Sequence, residues 1–320
     1  MLLLTRAVVP EVLARARDDY QTRALNLTGP LDPATLLTNL AGVNAILCNS
    51  ADRFDAALIN ALPAQIRVIA TNSVGLDHID LAAAKARGIE IRNTPGVLSE
   101  ATAELALTLM LMTARRAGEG ERLVRAQRWK GFDAAGKLGT DVHGKALGIF
   151  GMGRIGQILA RMARGLNMTI HYHNRTRLPE VQEEGALYHA DDQSFLAAID
   201  FLSINAPGGD GTYHWLNEQR LAALRPGSFV VNTGRGSVVN DEALIAALRS
   251  RHIAAAGLDV FENEPDINPA YYELENVVLL PHIGSATVET RRAMGFLALD
   301  GIKEVIGVGK GPEAMTLPSH

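Results

Sequence analysis

Short apolar runs alternate with helical stretches along most of this chain. In the first hundred residues the apolar runs predict strands at Leu2–Val9, Ala45–Cys48, Arg67–Thr71 and Glu90–Arg92. Between these runs, the spacing of apolar positions predicts helices at Phe54–Ala61 and Leu81–Arg87. Strands that are separated by helices pair in parallel, so we expect this part of the chain to form a parallel sheet covered by helices.

The same alternation resumes after residue 145. It predicts six further strands, at Ala146–Phe150, Thr169–Asn174, Phe201–Asn205, Ser228–Asn232, Ala254–Leu258 and Val277–Leu280. An apolar helix over Ser99–Arg116 and a Gly-rich connecting loop over 118–144 precede these strands. A last helix, from Thr287 to about Ile306, is long enough to return to the first sheet. We therefore predict an α/β protein with two parallel-sheet domains that are joined by crossover helices.

A glycine-rich turn follows the strand at Ala146–Phe150 and precedes a predicted helix. Its residues are Gly151, Met152, Gly153, Arg154, Ile155 and Gly156. In this spacing the first glycine permits a tight turn, the second lets the backbone approach a pyrophosphate, and the third lets the helix pack on the strand. The phosphates then meet free N–H groups at the start of the helix. The turn predicts that the second domain binds a dinucleotide.

The next strand ends without the carboxylate that accepts the ribose 2′-hydroxyl in NAD sites. Asn174, Arg175, Thr176 and Arg177 stand there instead. A guanidinium pairs bidentately with phosphate oxygens, so these residues favour a ribose 2′-phosphate. We expect NADP(H) to be preferred, with NAD(H) as the alternative. Arg177 is equally compatible with a solvated loop, because Pro179 can turn the chain away.

Three polar side chains follow strands of the second domain. Arg235 lies between two glycines, Glu264 follows the Gly-Leu-Asp-Val segment, and His282 follows a Leu-Leu-Pro run. Ligands of open α/β sheets bind beyond the carboxyl ends of the strands, so these side chains can converge. Arg235 would hold a carboxylate, His282 would protonate a developing alkoxide, and Glu264 would favour the protonated imidazole.

Four ordered motifs resemble those of the D-isomer-specific 2-hydroxyacid dehydrogenase family. They lie at Gly151–Gly156, Asn232–Gly236, Gly257–Pro265 and Leu280–Gly284. The resemblance covers essentially the whole chain and is strongest to the glyoxylate/hydroxypyruvate reductase and 2-ketogluconate reductase branch. It implies two Rossmann-like domains: a discontinuous, flavodoxin-like substrate-binding domain of residues 1–100 and 285–320, and a dinucleotide-binding domain of residues 101–284.

The resemblance also implies roles for individual residues. Arg235, Glu264 and His282 would be catalytic, and Arg235 and His282 would bind substrate together with the N–H groups of Val74 and Gly75. The predicted cofactor contacts are Thr102, Gly151, Gly153, Arg154, Ile155, Gly156, Asn174, Arg175, Thr176, Ala206, Pro207, Thr212, Thr233, Gly234, Asp259 and Gly284. The loop 205–212 departs from the usual Leu-Thr-Pro-Glu-Thr stretch of the family, which leaves the contacts of this loop open.

The implied activity is reduction of a small 2-oxo acid to a D-2-hydroxy acid by hydride transfer, with NADPH preferred. Glyoxylate, hydroxypyruvate and 2-ketogluconate are the implied substrates. The alternative of the same class is an NAD-dependent D-2-hydroxyacid or phosphite dehydrogenase. A dinucleotide-sensing corepressor is the alternative from another class, since a fold alone does not fix a function. Such a protein is expected to carry an extension, and only a short segment follows Gly311.

Composition narrows the class of protein without naming one. The 320 residues are 47% hydrophobic and carry a net charge of −4, which fits two globular domains and favours neither a nucleic acid nor a membrane as partner. The segment Leu2–Val9 is too short for a membrane span or a signal-peptide core. Cys48 is the single cysteine, so no internal disulfide can form. We expect a cytoplasmic protein.

Two further patterns concern metals and assembly. His171 and His173 lie two apart on one strand, but no third ligand has a suitable spacing, so we expect no metal site. The apolar stretch Ala101–Met112 and the loop that carries Trp129 and Phe132 leave apolar surface to be covered. Such surface is commonly buried between copies, so we expect a homodimer.

Overall fold

The computed structural model describes residues 1–308; residues 309–320, the end of the predicted first domain, lie outside the described part. The chain divides into two compact units. The first unit contains Met1–Leu98 and the residues from Ser285 onward, and the second contains Ser99–Gly284. The chain therefore passes between the units twice, once before and once after the second unit.

The first unit is built on one sheet of five strands. They are β1 (Leu2–Leu4), β2 (Thr22–Ala24), β3 (Ala45–Cys48), β4 (Val68–Thr71) and β5 (Glu90–Arg92). Their order in the sheet is β2-β1-β3-β4-β5, and every neighbouring pair is parallel. This is the flavodoxin-like strand order, and it confirms the α/β fold predicted for this unit.

The second unit is built on a sheet of seven strands. They are β6 (Ala146–Phe150), β7 (Thr169–His173), β8 (Leu187–Tyr188), β9 (Phe201–Ile204), β10 (Ser228–Asn232), β11 (Ile253–Leu258) and β12 (Val277–Leu279). The order is β12-β11-β10-β9-β6-β7-β8, again with parallel pairs throughout. Counted from β6, the first six strands have the Rossmann order 3-2-1-4-5-6, which confirms the predicted fold class.

Helices connect the strands of both sheets. They are α1 (Pro10–Asp19), α2 (Pro33–Thr38), α3 (Ala56–Ala61), α4 (Leu81–Ala86), α5 (Ser99–Ala114), α6 (Ala117–Arg125), α7 (Arg154–Arg164), α8 (Glu180–Glu183), α9 (Asp192–Ala197), α10 (Glu218–Ala223), α11 (Asp241–Arg249) and α12 (Val288–Ile306). Side-chain oxygens cap several of them, for example Asp80 at α4 and Asn240 at α11. Among residues 1–308, no helix is both long and apolar enough to cross a membrane.

Two predicted elements differ from the structure. The strand expected over Leu2–Val9 ends at Leu4, because the hydroxyl of Thr5 donates to Asp52 over 2.6 Å and Arg6 also pairs with this buried carboxylate. The loop expected over 118–144 begins within α6. This helix carries few apolar residues, so it was not predicted. Its buried Glu119 forms ion pairs with Arg116 and Lys137.

The strands of the second sheet that lie nearest its centre are buried along their whole length. All residues of β6, β9 and β10 are buried, so loops at their carboxyl ends start from fixed points. Helix α5 packs closely on this sheet: a Cβ at Gly257 would lie 2.9 Å from the side chain of Leu109. The core of the second unit therefore fixes the strand ends from which the loops with its predicted site residues start.

Candidate active site

The glycine turn after β6 combines tight packing with one open position. A Cβ at Gly151, where φ is +93°, would lie 2.5 Å from the backbone nitrogen of Ala206, and a Cβ at Gly156 would lie 2.7 Å from the carbonyl oxygen of Gly151. Real Cβ atoms do not come so close to backbone, so both positions require glycine. A Cβ at Gly153 would meet no atom within 4 Å. The middle glycine therefore faces space that a ligand can fill.

Helix α7 begins directly at this open position. Gly153 is its N-cap and offers no side chain to the first turn. Within residues 1–308, the N–H groups of Arg154 and Ile155 have no acceptor. Free N–H groups and the positive end of the helix dipole favour an anion. The turn thus fits the pyrophosphate of a dinucleotide.

The end of β7 places one predicted cofactor residue against this turn. Oδ1 of Asn174 accepts a hydrogen bond from the nitrogen of Met152 over 2.7 Å, which ties the strand end to the glycine turn. Arg175 and Thr176 are exposed, and within residues 1–308 their side chains make no hydrogen bond or ion pair. Both side chains are thus free to meet a ligand that lies beside the strand end.

Arg177 has a structural role instead. Its guanidinium donates to both oxygens of the buried Glu183, over 2.8 and 2.9 Å, and Glu183 also accepts from the hydroxyl of Tyr172. The hydrogen bonds from Arg177 and Tyr172 lower the pKa of Glu183 to about 2. Two donors of the Arg177 guanidinium are therefore already bound to Glu183, and Arg177 joins β7 to α8.

The turn after β10 carries Arg235. Oδ1 of Asn232 accepts from the nitrogen of Gly234 over 3.0 Å, and its Nδ2 donates to the carbonyl of Arg235 over 2.9 Å. A Cβ at Gly236 would lie 1.8 Å from the carbonyl carbon of Phe261, and one at Gly234 would lie 2.8 Å from the carbonyl oxygen of Ala206. The backbone around Arg235 is thus held on both sides.

Asn232 was not among the predicted site residues, although it shapes this turn. A polar amide at the end of an otherwise apolar strand, two residues before a glycine, is the signal that indicates such a turn. The Cβ that Gly208 lacks would lie 3.2 Å from Cγ of Arg235, so the loop after β9 also borders the Arg235 side chain. Arg235 donates to the carbonyl of Gly234 over 2.8 Å.

Glu264 and His282, which the sequence predicts as a pair, are in contact. Nδ1 of His282 lies 2.7 Å from Oε2 of Glu264, and Oε1 of Glu264 accepts from the nitrogen of Phe261 over 2.8 Å. The carboxylate is therefore fixed through one oxygen and bound to the imidazole through the other. With Nδ1–H donating to Glu264, Nε2 is the nitrogen that can exchange a proton with another group.

Asp259 fixes the segment that carries His282. Its buried carboxylate accepts from the nitrogens of Ile283 and Gly284, both over 2.7 Å. Burial raises the pKa of Asp259 above its ordinary value, and the two hydrogen bonds oppose this rise. A Cβ at Gly284 would lie 3.2 Å from Oδ2 of Asp259 and 3.4 Å from Cγ2 of Thr102. Thr102, Asp259 and Gly284, all predicted cofactor contacts, therefore lie together.

The remaining predicted contacts lie on the loop after β9 or, for Thr233, directly after β10. Ala206 lies against both Gly151 and Gly234, so it is packed between the glycine turn and the Arg235 turn. The hydroxyl of Thr212 donates to the carbonyl of Pro207 over 2.7 Å and closes the loop on itself. The hydroxyl of Thr233 lies 3.4 Å from Oδ1 of Asn205. These side chains thus stabilise the loop that borders the glycine turn.

The predicted substrate turn lies in the first unit. Within residues 1–308, the N–H groups of Val74 and Gly75 donate to no acceptor. The carbonyls of the same two residues are held: Asn93 donates to Val74 and the hydroxyl of Ser73 donates to Gly75, each over 2.8 Å. A turn with fixed carbonyls and two free N–H groups is suited to an anion.

The other candidates have structural partners. Nδ1 of His171 lies 2.9 Å from Nε2 of His189, and Nδ1 of His173 lies 2.8 Å from the carbonyl of His189. Within residues 1–308, no group of three or more His, Cys, Asp or Glu side chains is arranged to hold a metal ion. Cys48 is buried, and burial raises the pKa of its thiol.

The chain is similar to known proteins over most of its length. The profile of the D-isomer specific 2-hydroxyacid dehydrogenase NAD binding domain matches residues 107–284. The chain is 39% identical over 308 residues to a glycerate dehydrogenase of Hyphomicrobium methylovorum, which covers 96% of each chain. It is 44% identical over 280 residues to a glyoxylate reductase of Thermococcus litoralis, which covers 86% of this chain and 83% of that one.

A solved structure is similar over nearly the same length. It is the NADPH-dependent glyoxylate/hydroxypyruvate reductase of Sinorhizobium meliloti in complex with NADP and malonate. The TM-score is 0.84 at 35% identity, and the match covers 94% of this chain and 92% of that one. The chain is therefore an NAD(P)-dependent oxidoreductase that belongs to the D-isomer-specific 2-hydroxyacid dehydrogenase family, in the branch that contains the glyoxylate reductases.

Proposed function

We propose that this enzyme reduces small 2-oxo acids to D-2-hydroxy acids and prefers NADPH. The observation that carries the proposal is the 2.7 Å pair between Nδ1 of His282 and Oε2 of Glu264, on loops that follow strands of the dinucleotide-type sheet. Glyoxylate and hydroxypyruvate are the first substrates, in line with the names of the relatives. A longer 2-oxo acid such as 2-ketogluconate is the further candidate.

Each member of the catalytic set has a separate task. When bound, the dinucleotide supplies the hydride. His282 donates the proton from Nε2 to the oxygen of the substrate carbonyl, and Glu264 favours the protonated ring through its 2.7 Å contact. Arg235 binds the substrate carboxylate through its planar fork of donors. Asp259 holds the backbone beyond His282 in place through Ile283 and Gly284.

The cofactor preference rests on the end of β7. The predicted contacts Arg175 and Thr176 are unpaired within residues 1–308, whereas Arg177 is bound to Glu183. Arg175 and Thr176 would bind the 2′-phosphate, and no carboxylate stands where NAD sites carry one. The similar structure from Sinorhizobium meliloti holds NADP.

Each unit has a proposed binding role of its own. The free N–H groups of Val74 and Gly75 in the first unit would bind a carboxylate, and the glycine turn of the second unit would bind the dinucleotide. We further propose that the enzyme is cytoplasmic, which is consistent with its buried thiol at Cys48.

A homodimer would cover the apolar residues that the second unit exposes between α6 and β6. Trp129 and Phe132 are 63% and 93% exposed, and Leu138 is 68% exposed. Large apolar side chains at such exposure are typical of an interface. Sedimentation at micromolar concentration should give twice the mass of one chain, and the double variant Trp129→Ser, Phe132→Ser should give the single mass. A monomeric wild type would contradict the dimer.

The test of the function measures the oxidation of NADPH and NADH at matched concentrations with glyoxylate and hydroxypyruvate. We expect faster turnover with NADPH. The double variant Arg175→Ala, Thr176→Ala should raise KM for NADPH by about tenfold or more, because charge-assisted hydrogen bonds are worth about 1.5–3 kcal/mol, and should leave KM for NADH unchanged. Arg249→Ala, which removes an exposed arginine paired with Glu273, is the control. Equal use of both cofactors by the wild type would overturn the NADPH preference.

A further inference from the structure

A second histidine–carboxylate pair lies close in sequence to Glu264. Nε2 of His214 is 2.9 Å from Oε2 of Glu262, which precedes Glu264 by two residues. Both side chains are largely buried, with 27% and 22% of their surface exposed. His214 belongs to the loop after β9, which contains the predicted cofactor contacts Pro207 and Thr212. The pair therefore joins the loop after β9 to the segment that carries the acid–base carboxylate.

The backbone around His214 is fixed independently of this pair. Its nitrogen donates to the carbonyl of Ser237 over 2.8 Å, and the nitrogen of Leu216 donates to the carbonyl of Val238 over 2.9 Å. Ser237 and Val238 lie two and three residues after Arg235. The loop after β9 is thus anchored to the Arg235 turn, and the His214 ring projects from an anchored backbone.

The hydrogen bonds around the ring define its tautomer. Oδ1 of Asn240 accepts from the nitrogen of Ala243 as the N-cap of α11, so the Nδ2 group of Asn240 is the one that faces Nδ1 of His214, over 3.3 Å. An amide Nδ2 can only donate, so Nδ1 of His214 accepts. The ring hydrogen is then on Nε2 and is donated to Glu262. Neutral His214 therefore satisfies both neighbours.

Tyr213 packs on the other side of the His214 ring. The two rings stack with centroids 4.0 Å apart and planes within 16°. The stacking restricts rotation of the imidazole, so the side chain of His214 is held against Glu262 by its neighbour in the loop after β9.

Glu262 lies in a segment whose own position determines that of Glu264. The peptide between Phe261 and Glu262 packs on Gly236 so closely that a Cβ there would collide with it. The nitrogen of Phe261 donates to Oε1 of Glu264, while Oε2 of Glu264 contacts His282. Any rotation of the segment 261–264 would therefore move the carboxylate away from the imidazole. The Glu262 side chain is the tie that opposes such a rotation.

We propose that His214 is a positioning residue for the acid–base step: through Glu262 it holds the segment 261–264 so that Glu264 stays against His282. Because His214 lies on the loop after β9, the hydrogen bond between His214 and Glu262 would also couple dinucleotide binding to the position of the proton donor. The proposal rests on the proposed function, in which His282 protonates the substrate.

The test uses a readout that does not require turnover. In protein labelled with ¹⁵N-histidine, the ring nitrogens of His282 are titrated by NMR, with His282→Gln to assign the signals. Glu264→Gln should lower the titration midpoint of His282, because it removes an opposite charge in contact. His214→Ala should lower it in the same direction by a smaller amount. Glu262→Gln, whose Oε1 can still accept from His214, should lower it less than His214→Ala does.

Kinetics provide the second readout. With NADPH and glyoxylate, His214→Ala should reduce kcat about tenfold, change KM for glyoxylate little, and move the alkaline fall of the rate to lower pH. Glu273→Gln, which breaks the exposed pair with Arg249, should change neither readout. His214→Gln, whose amide can still donate to Glu262, should stay close to the wild type in both readouts, and His214→Phe, which removes the donor but fills the space, replaces the alanine variant if that one does not fold.

An unchanged His282 titration in a folded His214 variant would overturn the proposal. So would weaker NADPH binding in that variant with an unchanged titration, because His214 would then be only a cofactor contact. Failure of the proposed function is a different result: the wild type would oxidise NADPH with none of the 2-oxo acids, while the His282 titration would still report on His214.

Discussion

The position of Arg235 is determined by the residues on either side of it in the chain. The glycines on either side of it lie against backbone, and Asn232 bonds to both Gly234 and Arg235. The sequence indicated the arginine, because an Arg between two glycines has little use in a helix or strand. Asn232 was not predicted: an amide two residues before a glycine marks a turn, but its hydrogen bonds to Gly234 and Arg235 depend on how the backbone of that turn folds. Neither the Glu262–His214 contact nor the Arg177–Glu183 pair could be predicted for the same reason.

At this scale we predict that Arg235→Ala lowers kcat/KM for glyoxylate on the order of 10²-fold. Loss of a bidentate, charge-assisted contact affects both binding and the orientation of the substrate, so KM should rise and kcat should fall. Arg235→Lys should recover only a part of the activity, because it restores the charge without the planar fork. Steady-state kinetics with NADPH check this. An alanine variant with wild-type KM would remove Arg235 from the substrate site.

The strand–turn–helix element from β6 to α7 is the part of the site that the sequence predicted best. Its three glycines have distinct surroundings, and these match the three roles that the spacing implies: Gly151 and Gly156 lie against backbone, and Gly153 faces open space. The conformation of such a turn depends on backbone contacts between residues close in sequence, and a short motif is enough to specify them. The short edge strands β2 and β8 were not predicted, because strands of three and two residues carry too little apolar pattern.

The open position at Gly153 leads to a prediction for this element. Gly153→Ala should leave the melting temperature unchanged, because its φ of −83° suits alanine and its Cβ meets no atom within 4 Å. The same Cβ should collide with a bound pyrophosphate and raise Kd for NADPH about tenfold or more. Gly120→Ala in α6, where a Cβ also meets nothing, is the matched control. NADPH titrations followed by fluorescence measure both. Wild-type affinity of Gly153→Ala would place the dinucleotide elsewhere.

The pairing of β7 with α8 predicts a pH-dependent stability. The pKa of Glu183 is lowered to about 2 by Arg177 and Tyr172, from an ordinary value of 4.5. The stabilisation is therefore complete above about pH 4.5 and is lost as the pH falls toward 2. Glu183→Gln should lower the melting temperature at pH 7, and the difference from the wild type should shrink at pH 3. Glu180→Gln, on the exposed side of α8, should have no effect at either pH. A constant difference at both pH values would contradict the ionic origin.

At the scale of the whole molecule, the two sheets followed from the alternation of apolar runs and helical stretches. Parallel strands buried on both faces appear as continuous apolar runs, which is why the inner strands β3, β4, β6, β9 and β10 were predicted nearly to the residue. Polar helices on the surface gave a weaker signal: α6 and α1 were missed, and residues 5–9, which precede α1, were predicted as part of the first strand. The chain passes from the first unit to the second after Leu98 and returns to the first after Gly284.

His282, paired with Glu264, is the residue that we propose donates the proton in a reduction driven by NADPH. The most direct measurement is kcat for glyoxylate reduction by His282→Gln at saturating NADPH, beside the Kd for NADPH of the same variant. We expect kcat to fall roughly 10²- to 10⁴-fold, the range for loss of a general acid, and Kd to stay unchanged. Turnover by the variant at the wild-type rate would contradict it.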